Sequence, residues 1–276
     1  MVQPKINMPC PICKTDTCIS DTKMYLYSCK PCHHTFTKLP AGMQETYEGE
    51  YFEEDHKNWF ENPNFQLFKN IEAELGKYRD INLLDVGCGK GDFLLWLHDR
   101  HPEWNLTGID LAPNKHDTIK FITGDIFNVT FDKKFNVITS FMMVEHLDEI
   151  MPFIKNMRTL LEKDGVFIVN TFNTDSMIFR LAGMLKSIGI RTAFDRLYAH
   201  HHLQHYSNTS IRKIMTLGGF EILKHRHHNY PLKAVDVPKS SKLIEILYKG
   251  AVGTTFLLSA PFGMGIEHTL ICKPKS

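Results

Sequence analysis

The sequence predicts an α/β fold, an open and doubly wound sheet of mostly parallel strands, with a small cysteine-built module in front of it. Three observations carry this prediction. Residues 83–94, Leu-Leu-Asp-Val-Gly-Cys-Gly-Lys-Gly-Asp-Phe-Leu, read as a buried strand, a glycine loop and the start of a helix. After them, short apolar runs that end in acids recur at the spacing of alternating strands and helices. Before them, four cysteines stand in two Cys-x-x-Cys pairs.

In the loop, Leu83, Leu84 and Val86 supply the strand. Gly87, Gly89 and Gly91 let the backbone turn sharply and approach a ligand, and the amides at the start of the next helix face the same point. Asp85 sets a carboxylate where an anionic pyrophosphate would be repelled. The D-x-G-x-G-x-G spacing also departs from the G-x-G-x-x-G dinucleotide fingerprint. Both favour a cationic, nucleotide-like ligand; a tight turn that binds nothing is the plainer alternative for glycines taken alone.

The following elements arrive in order. Residues 105–109 read as a second strand closed by Asp110, an acid about 20 residues beyond the loop and placed for ribose hydroxyls. Residues 118–122 read as a third strand, followed by Gly124-Asp125-Ile126. Only residues 111–117 separate these strands, too few for the usual helix. Residues 135–141 give a fourth strand, 148–161 a helix and 166–172 a fifth strand.

Together these motifs resemble the class I S-adenosylmethionine-dependent methyltransferases, in their small-molecule branch, over residues 81 to about 222. The resemblance implies a seven-stranded sheet with an antiparallel edge formed near residues 221–227 and 265–273. It implies that Asp85, Gly87, Gly89 and Gly91 hold S-adenosylmethionine, that Asp110 binds its ribose, and that Asp125 and Ile126 hold the adenine. The short link puts in doubt whether Leu111 covers the adenine as it would in the family. Ser140-x-x-x-Val144-Glu145-His146-Leu147 resembles the family's fourth motif, which brings Ser140 to the cofactor.

Cys10-x2-Cys13, then fifteen residues, then Cys29-x2-Cys32 is the spacing of a four-thiolate zinc site. Disulfides are the competing reading. The sequence shows no secretory signal, which favours thiolates and predicts a cytoplasmic location. Cys18 falls outside the pattern, and His33 or His34 could replace Cys32. Residues 1–40 cannot bury much of a core, so the zinc is expected to be structural; four thiolates also leave no open position for water.

Residues 41–80 are rich in aromatics. The Phe65–Tyr78 stretch places Leu67, Phe68, Ile71 and Leu75 on one helical face for packing on the sheet. Tyr47, Tyr51 and Phe52, resembling a Tyr-x-x-x-Tyr-Phe stretch in zinc-ribbon members of the family, suit closure over the cofactor. The third segment, 81–276, is the expected methyltransferase domain, with a substrate-side insertion at about 174–208.

Within that insertion, residues 176–190 form an amphipathic pattern with Arg180, Lys186, Arg191 and Arg196 nearby. This is either a solvated face or a peripheral contact of residues 176–198 with a membrane surface or an anionic acceptor. The run from His200 to Ser207, with Gly219-Phe220-Glu221 downstream, resembles a further pattern of the same branch. Further on, alternation puts His225 and His227 on one face of a sixth strand and His228 on the other.

A sulfonium methyl is already electrophilic, so the protein must align the acceptor and remove its proton when the acceptor is a hydroxyl. His146 is the candidate base, with His202 and His205 arriving from the insertion; each could equally be a structural hydrogen-bonding group. Thirty-two basic and 31 acidic residues leave a net charge of +1, which gives no field for steering toward a polyanion. A small hydroxylated metabolite, sugar or quinone-like acceptor is therefore expected. Methylation of a ribosomal RNA base and a non-catalytic binding module remain the other readings. No run of eighteen apolar residues occurs, so no membrane span is expected, and residues 251–262 read as core.

Overall fold

A four-stranded antiparallel meander opens the chain: β1 (Lys5–Pro9), β2 (Asp16–Asp21), β3 (Leu26–Cys29) and β4 (His34–Thr37). The computed structural model describes residues 5–40, 42–43, 57–236 and 242–275; Tyr47, Tyr51 and Phe52 lie outside the described residues. Two helices follow, α1 (Lys57–Glu61) and α2 (Phe65–Leu75). Asn64 caps α2 by accepting a hydrogen bond from the Leu67 N–H at 3.1 Å, which satisfies one of the amides a helix start leaves open. As the periodicity predicts, Leu67, Phe68, Ile71 and Leu75 are buried, in one apolar cluster with Phe93, Leu94 and Val137.

The main sheet runs β5 (Asn82–Val86), α3 (Asp92–His98), β6 (Asn105–Asp110), β7 (Lys120–Thr123), β8 (Phe135–Phe141), α4 (Ile150–Leu160) and β9 (Leu161–Phe172). It continues through α5 (Met177–Ser187), α6 (Thr192–Leu197), β10 (Gln204–His205), α7 (Asn208–Leu217), β11 (Phe220–His228), α8 (Lys242–Ser259) and β12 (Glu267–Pro274). Seven strands lie in the order β11-β12-β9-β8-β5-β6-β7. All neighbours are parallel except β12, which is antiparallel to both β9 and β11. This is the class I methyltransferase fold expected from the motifs. The chain leaves β5 toward β6 and β7 and returns to β8 on the other side, so the switch point where such sheets bind ligands lies between β5 and β8.

The structure departs from the sequence-based expectations in two places. The meander gains a fifth strand, because β10 pairs antiparallel with β4, Gln204 opposite Phe36 and His205 opposite Thr35. Cys10, Ile12, Cys29 and Cys32 also share one core with Phe153, Ile154, Tyr206 and Ile211. The cysteine module is thus built into the main body rather than strung before it.

The second departure is residues 251–262. They are core only in part and end one helical stretch, Lys242–Phe262, that is long and apolar enough to cross a membrane and mostly exposed. Leu257, Leu258 and Phe262 are 77%, 55% and 72% exposed. Lys242, Glu245 and Lys249 interrupt the apolar run, which hides its length from a simple count. Only Val252, Phe256 and Ser259 of α8 are buried, the first two in a satellite cluster where Phe179 of α5 and Ile266 also pack.

Candidate active site

The glycine loop leaves β5 through left-handed backbone at Gly87 (φ 75°) and Gly89 (φ 52°). A Cβ at Gly87 would lie 2.3 Å from Met143 Cγ, whereas one at Gly89 would project into open space. Glycine at 87 is thus required by packing, and at 89 by conformation and by access to the cavity beside it. Asp110, at the end of β6, ties the loop down. Its Oδ2 accepts from the Gly89 N–H at 2.8 Å and its Oδ1 from the Ala112 N–H at 2.9 Å. Each carboxylate oxygen retains a lone pair for a hydroxyl.

These residues border a single cavity of about 1490 Å³ that extends from the loop to α5, α8 and residues 196–202. Small-molecule sites typically occupy about 300–1,000 Å³, so the space exceeds what one ligand needs. Asp85, Gly87, Gly89, Asp110, Leu111, Asp125, Ile126, His146 and His202 all line it. Asp85 is buried and accepts a hydrogen bond from Thr139 Oγ1 at 2.7 Å. Burial pushes its carboxyl up to about 7, against the Thr139 hydrogen bond and with help from the Asp110 charge. Asp125 accepts from the Phe127 N–H at 3.0 Å, and Ile126 packs into the core below it. Leu111 is 69% exposed, standing on the irregular link at the rim.

His146 sits on the short 3₁₀ turn Val144–His146 that follows β8. Its Nδ1 donates to the His201 carbonyl at 3.0 Å, which leaves the lone pair on Nε2. The His202 ring lies 5.1 Å from the His146 ring and 5.2 Å from that of Phe172. Glu145 completes this corner: ligand atoms of Glu145, His146 and His202 all lie within 4.8 Å of one another. Glu145 is buried, accepts from Thr171 Oγ1 at 2.8 Å, and is pushed by burial up to about 7. A second buried acid, Glu267 of β12, lines the cavity beside His228 (3.2 Å) and is pushed by burial up to about 8.

Sequence reasoning assigned no role to Glu145 or Glu267. The first was legible as the neighbour of His146 in the fourth motif. The second gives no local signal, because it reaches the site only through the antiparallel placement of β12.

Three expected residues stand elsewhere. Ser140 is fully buried within β8 and does not line the cavity. Gly91 is the left-handed residue that starts α3, behind the loop. His205 belongs to the meander sheet: its Nε2 hydrogen-bonds Thr37 Oγ1 at 2.9 Å, its ring packs on Tyr198, and burial lowers it to about 3. The physical reason is the β10–β4 pairing, which turns His205 away from the cavity while His202, three residues earlier, faces it.

Cys10, Cys13, Cys29 and Cys32 come together, with their sulfurs within 4.8 Å of one another and no disulfide between them. Burial pushes the Cys10 thiol up to about 12. At Cys13 burial is outweighed by hydrogen bonds from Cys32 and Thr15, which bring it down to about 6. His34 stands apart from this set, hydrogen-bonded through Nε2 to Gln204 Oε1 at 2.9 Å.

A protein family described as a methyltransferase domain matches residues 51–225. Among curated relatives, a ubiquinone biosynthesis O-methyltransferase of Rickettsia bellii is 23% identical over 126 residues, covering 42% of this chain and 52% of that one. The chain therefore matches about half the length of that relative. Among solved structures, one from the complex of the Haloferax volcanii Trm112 methyltransferase activator with a methyltransferase has a TM-score of 0.57 at 12% identity, covering 84% of this chain and 100% of that one. The Burkholderia thailandensis 1,6-didemethyltoxoflavin-N1-methyltransferase, solved with its substrate and S-adenosylhomocysteine, has a TM-score of 0.54 at 12% identity, covering 94% and 99%. With a family match over well more than half of its length and the sheet order described above, the chain belongs to the methyltransferase-domain family.

Proposed function

We propose that this enzyme methylates a hydroxyl group of a small acceptor with an apolar body, such as a quinone-like compound. The observation that carries this reading is the shape of the cavity. Its loop end is lined by the acids Asp85, Asp110 and Asp125, and its far end by Phe172, Phe179, Leu185 and Val252, with His146 and Glu145 between them. S-adenosylmethionine, bound at the loop end, supplies an electrophilic methyl group. Asp110 holds its ribose hydroxyls, Asp125 and Ile126 its adenine, and Gly87 and Gly89 allow the close backbone approach. Buried Asp85 lines this end of the cavity, and a positive charge bound there would oppose the desolvation that raises this carboxyl.

On the acceptor side, His146 Nε2 takes the hydroxyl proton as the oxygen attacks. Glu145 and His202 stand close enough to orient the imidazole or stabilise its charged form. The O-methyltransferase named among the relatives supports a hydroxyl acceptor. The near-neutral chain favours it over ribosomal RNA, whose grip depends on neutralising phosphates.

Two further elements belong to this reading. Cys10, Cys13, Cys29 and Cys32 hold one structural zinc ion, for which four converging, mostly buried sulfurs are the right donor set. Residues 176–198, joined by the exposed side of α8, make a peripheral contact with a membrane surface from which an apolar acceptor enters. Leu181 and Leu185 of α5 and Tyr248 and Thr255 of α8 flank the cavity on that side. The decisive experiment is a methyl-transfer assay with a panel of hydroxylated quinone precursors and phenols, with ribosomal RNA as the comparison. Product on a panel member supports the reading; methylation confined to RNA overturns it.

A further inference from the structure

On the far side of the sheet from the cavity, the edge strands carry a cluster that methyl transfer does not use. The register of β11 and β12 places His227 directly opposite His268. Side chains alternate along a strand, so His225 shares their face, while the His228–Glu267 pair points to the cavity face. One ligand nitrogen from each of His225, His227 and His268 lies within 4.8 Å of the others. The ring centroids are 4.5, 5.3 and 6.3 Å apart.

We propose that His225, His227 and His268 form a metal site, separate from the four cysteines, that binds one divalent transition-metal ion of the zinc class through three imidazole nitrogens.

The first support is polar satisfaction. His268 is fully buried, and neither of its ring nitrogens has a hydrogen-bond partner among the described residues; the same holds for Nε2 of His225. Buried polar atoms are nearly always paired, and each one left unpaired is costly. Such atoms on adjacent rings of one face are the donor arrangement that a single cation satisfies.

Protonation state agrees with this geometry. Burial, then neighbouring positive groups, lowers His225 to about 4 and His268 well below its ordinary value, and burial also lowers His227. All three rings are therefore neutral near pH 7, the form a metal requires. The surroundings of His227 are also those of a ligand. Its Nε2 donates to Asn208 Oδ1 at 2.7 Å, which leaves the lone pair on Nδ1. A carbonyl oxygen holding the second nitrogen is the common support of metal-bound imidazoles. Asn208 is itself fixed, since its N–H donates to Asp175 Oδ2 at 2.8 Å.

Two charges act on the cluster: the Asp175 carboxylate favours positive charge at His227, and Arg212 opposes it at His225. Three neutral imidazoles select zinc, cobalt, nickel or copper over magnesium or calcium. They also leave a fourth position for water or a small anion, reached past the half-buried His225 and His227.

Cobalt(II) titration of the full-length protein, followed by absorption spectroscopy, tests the proposal. Thiolate ligation gives intense sulfur-to-cobalt charge-transfer bands that imidazole ligation lacks. The wild type is expected to take up a thiolate-type equivalent and a further equivalent showing d–d bands alone. His225→Gln and, separately, His227→Gln abolish the further equivalent or weaken it by about 100-fold or more. Asn208→Ala, which removes no ligand, weakens it by about 10–100-fold, and excess magnesium does not compete. Cys13→Ser removes only the thiolate-type equivalent, so failure of the cysteine site and failure of the histidine site are distinguishable. Wild-type uptake of the thiolate type alone, or a further equivalent unchanged in folded His225→Gln protein, overturns the proposal.

Discussion

The Leu203 N–H donates to the Glu145 carbonyl at 2.7 Å, and the Leu203 carbonyl in turn accepts from the Thr37 N–H at 2.9 Å. One residue therefore links the acid and histidine segment of the cavity to the last strand of the cysteine module. Gln204 doubles the link, since its Nε2 donates to the carbonyls of Leu147 (2.9 Å) and Asp148 (3.2 Å). The cysteine module consequently supports the geometry of His146 as well as its own strands.

The first prediction follows from this link. Cys29→Ser should lose the zinc and, with it, both stability and turnover, because β4 no longer holds residues 203–205 in place. Structural zinc in small modules is worth ~10–16 kcal/mol of apparent binding, far more than β10 pairing alone could replace. Elemental analysis, thermal melts and kcat measured together check this; a zinc-free variant with wild-type kcat would break the coupling.

Asp110→Ala should weaken S-adenosylhomocysteine binding by ~1.5–3 kcal/mol, the usual range for hydrogen bonds to a charged group. Part of that loss comes from the loop, since Asp110 also holds the Gly89 amide. Calorimetry is the measurement, and NAD should give no heat with the wild type.

His146→Ala should lower kcat by ~10²–10⁴, the common range for general acid–base residues, while cofactor affinity stays within about twofold. His205→Ala should instead lower the melting temperature and leave the pH dependence of kcat/KM unchanged, because His205 is packed in the meander sheet. A His146→Ala enzyme with unaltered turnover would move the base to His202.

Glu267 sets a pH dependence of stability. Its carboxyl is raised from 4.5 to about 8 by burial, so between those values the folded protein holds a proton that the unfolded chain has released. Stability is then lost as pH rises through this window and is fully present below 4.5. At about 1.4 kcal/mol per pK unit, wild type should lose on the order of a few kcal/mol relative to Glu267→Gln from the bottom of the window to the top. Denaturant melts of both proteins across the window check it; parallel profiles would show that Glu267 ionises freely in the fold.

The exposed apolar side of α8 and α5 makes a fifth prediction. Wild-type protein should co-sediment with vesicles of anionic phospholipid, and Leu185→Glu combined with Leu257→Glu should abolish this, since charged side chains oppose insertion of an apolar helix face. Co-sedimentation unaffected by both charges would exclude this face as the contact.

The sequence determined what depends on neighbours along the chain. Glycines at 87, 89 and 91, strand-end acids at 85 and 110, the apolar face of α2 and two Cys-x-x-Cys pairs each state their requirement locally. That is why the sheet, its loop and the converging cysteines were legible. Tertiary structure decided what depends on partners distant in sequence. The pairing of β10 with β4 turned His205 away from the cavity and joined the cysteine module to it. The antiparallel insertion of β12 brought Glu267 to the cavity and set His268 against His225 and His227. Most of α8 lies outside the core, although residues 251–262 read as interior. In each case the register of a long-range pairing fixes which face a side chain takes, and a shift of one residue would reverse it; no local pattern records that choice.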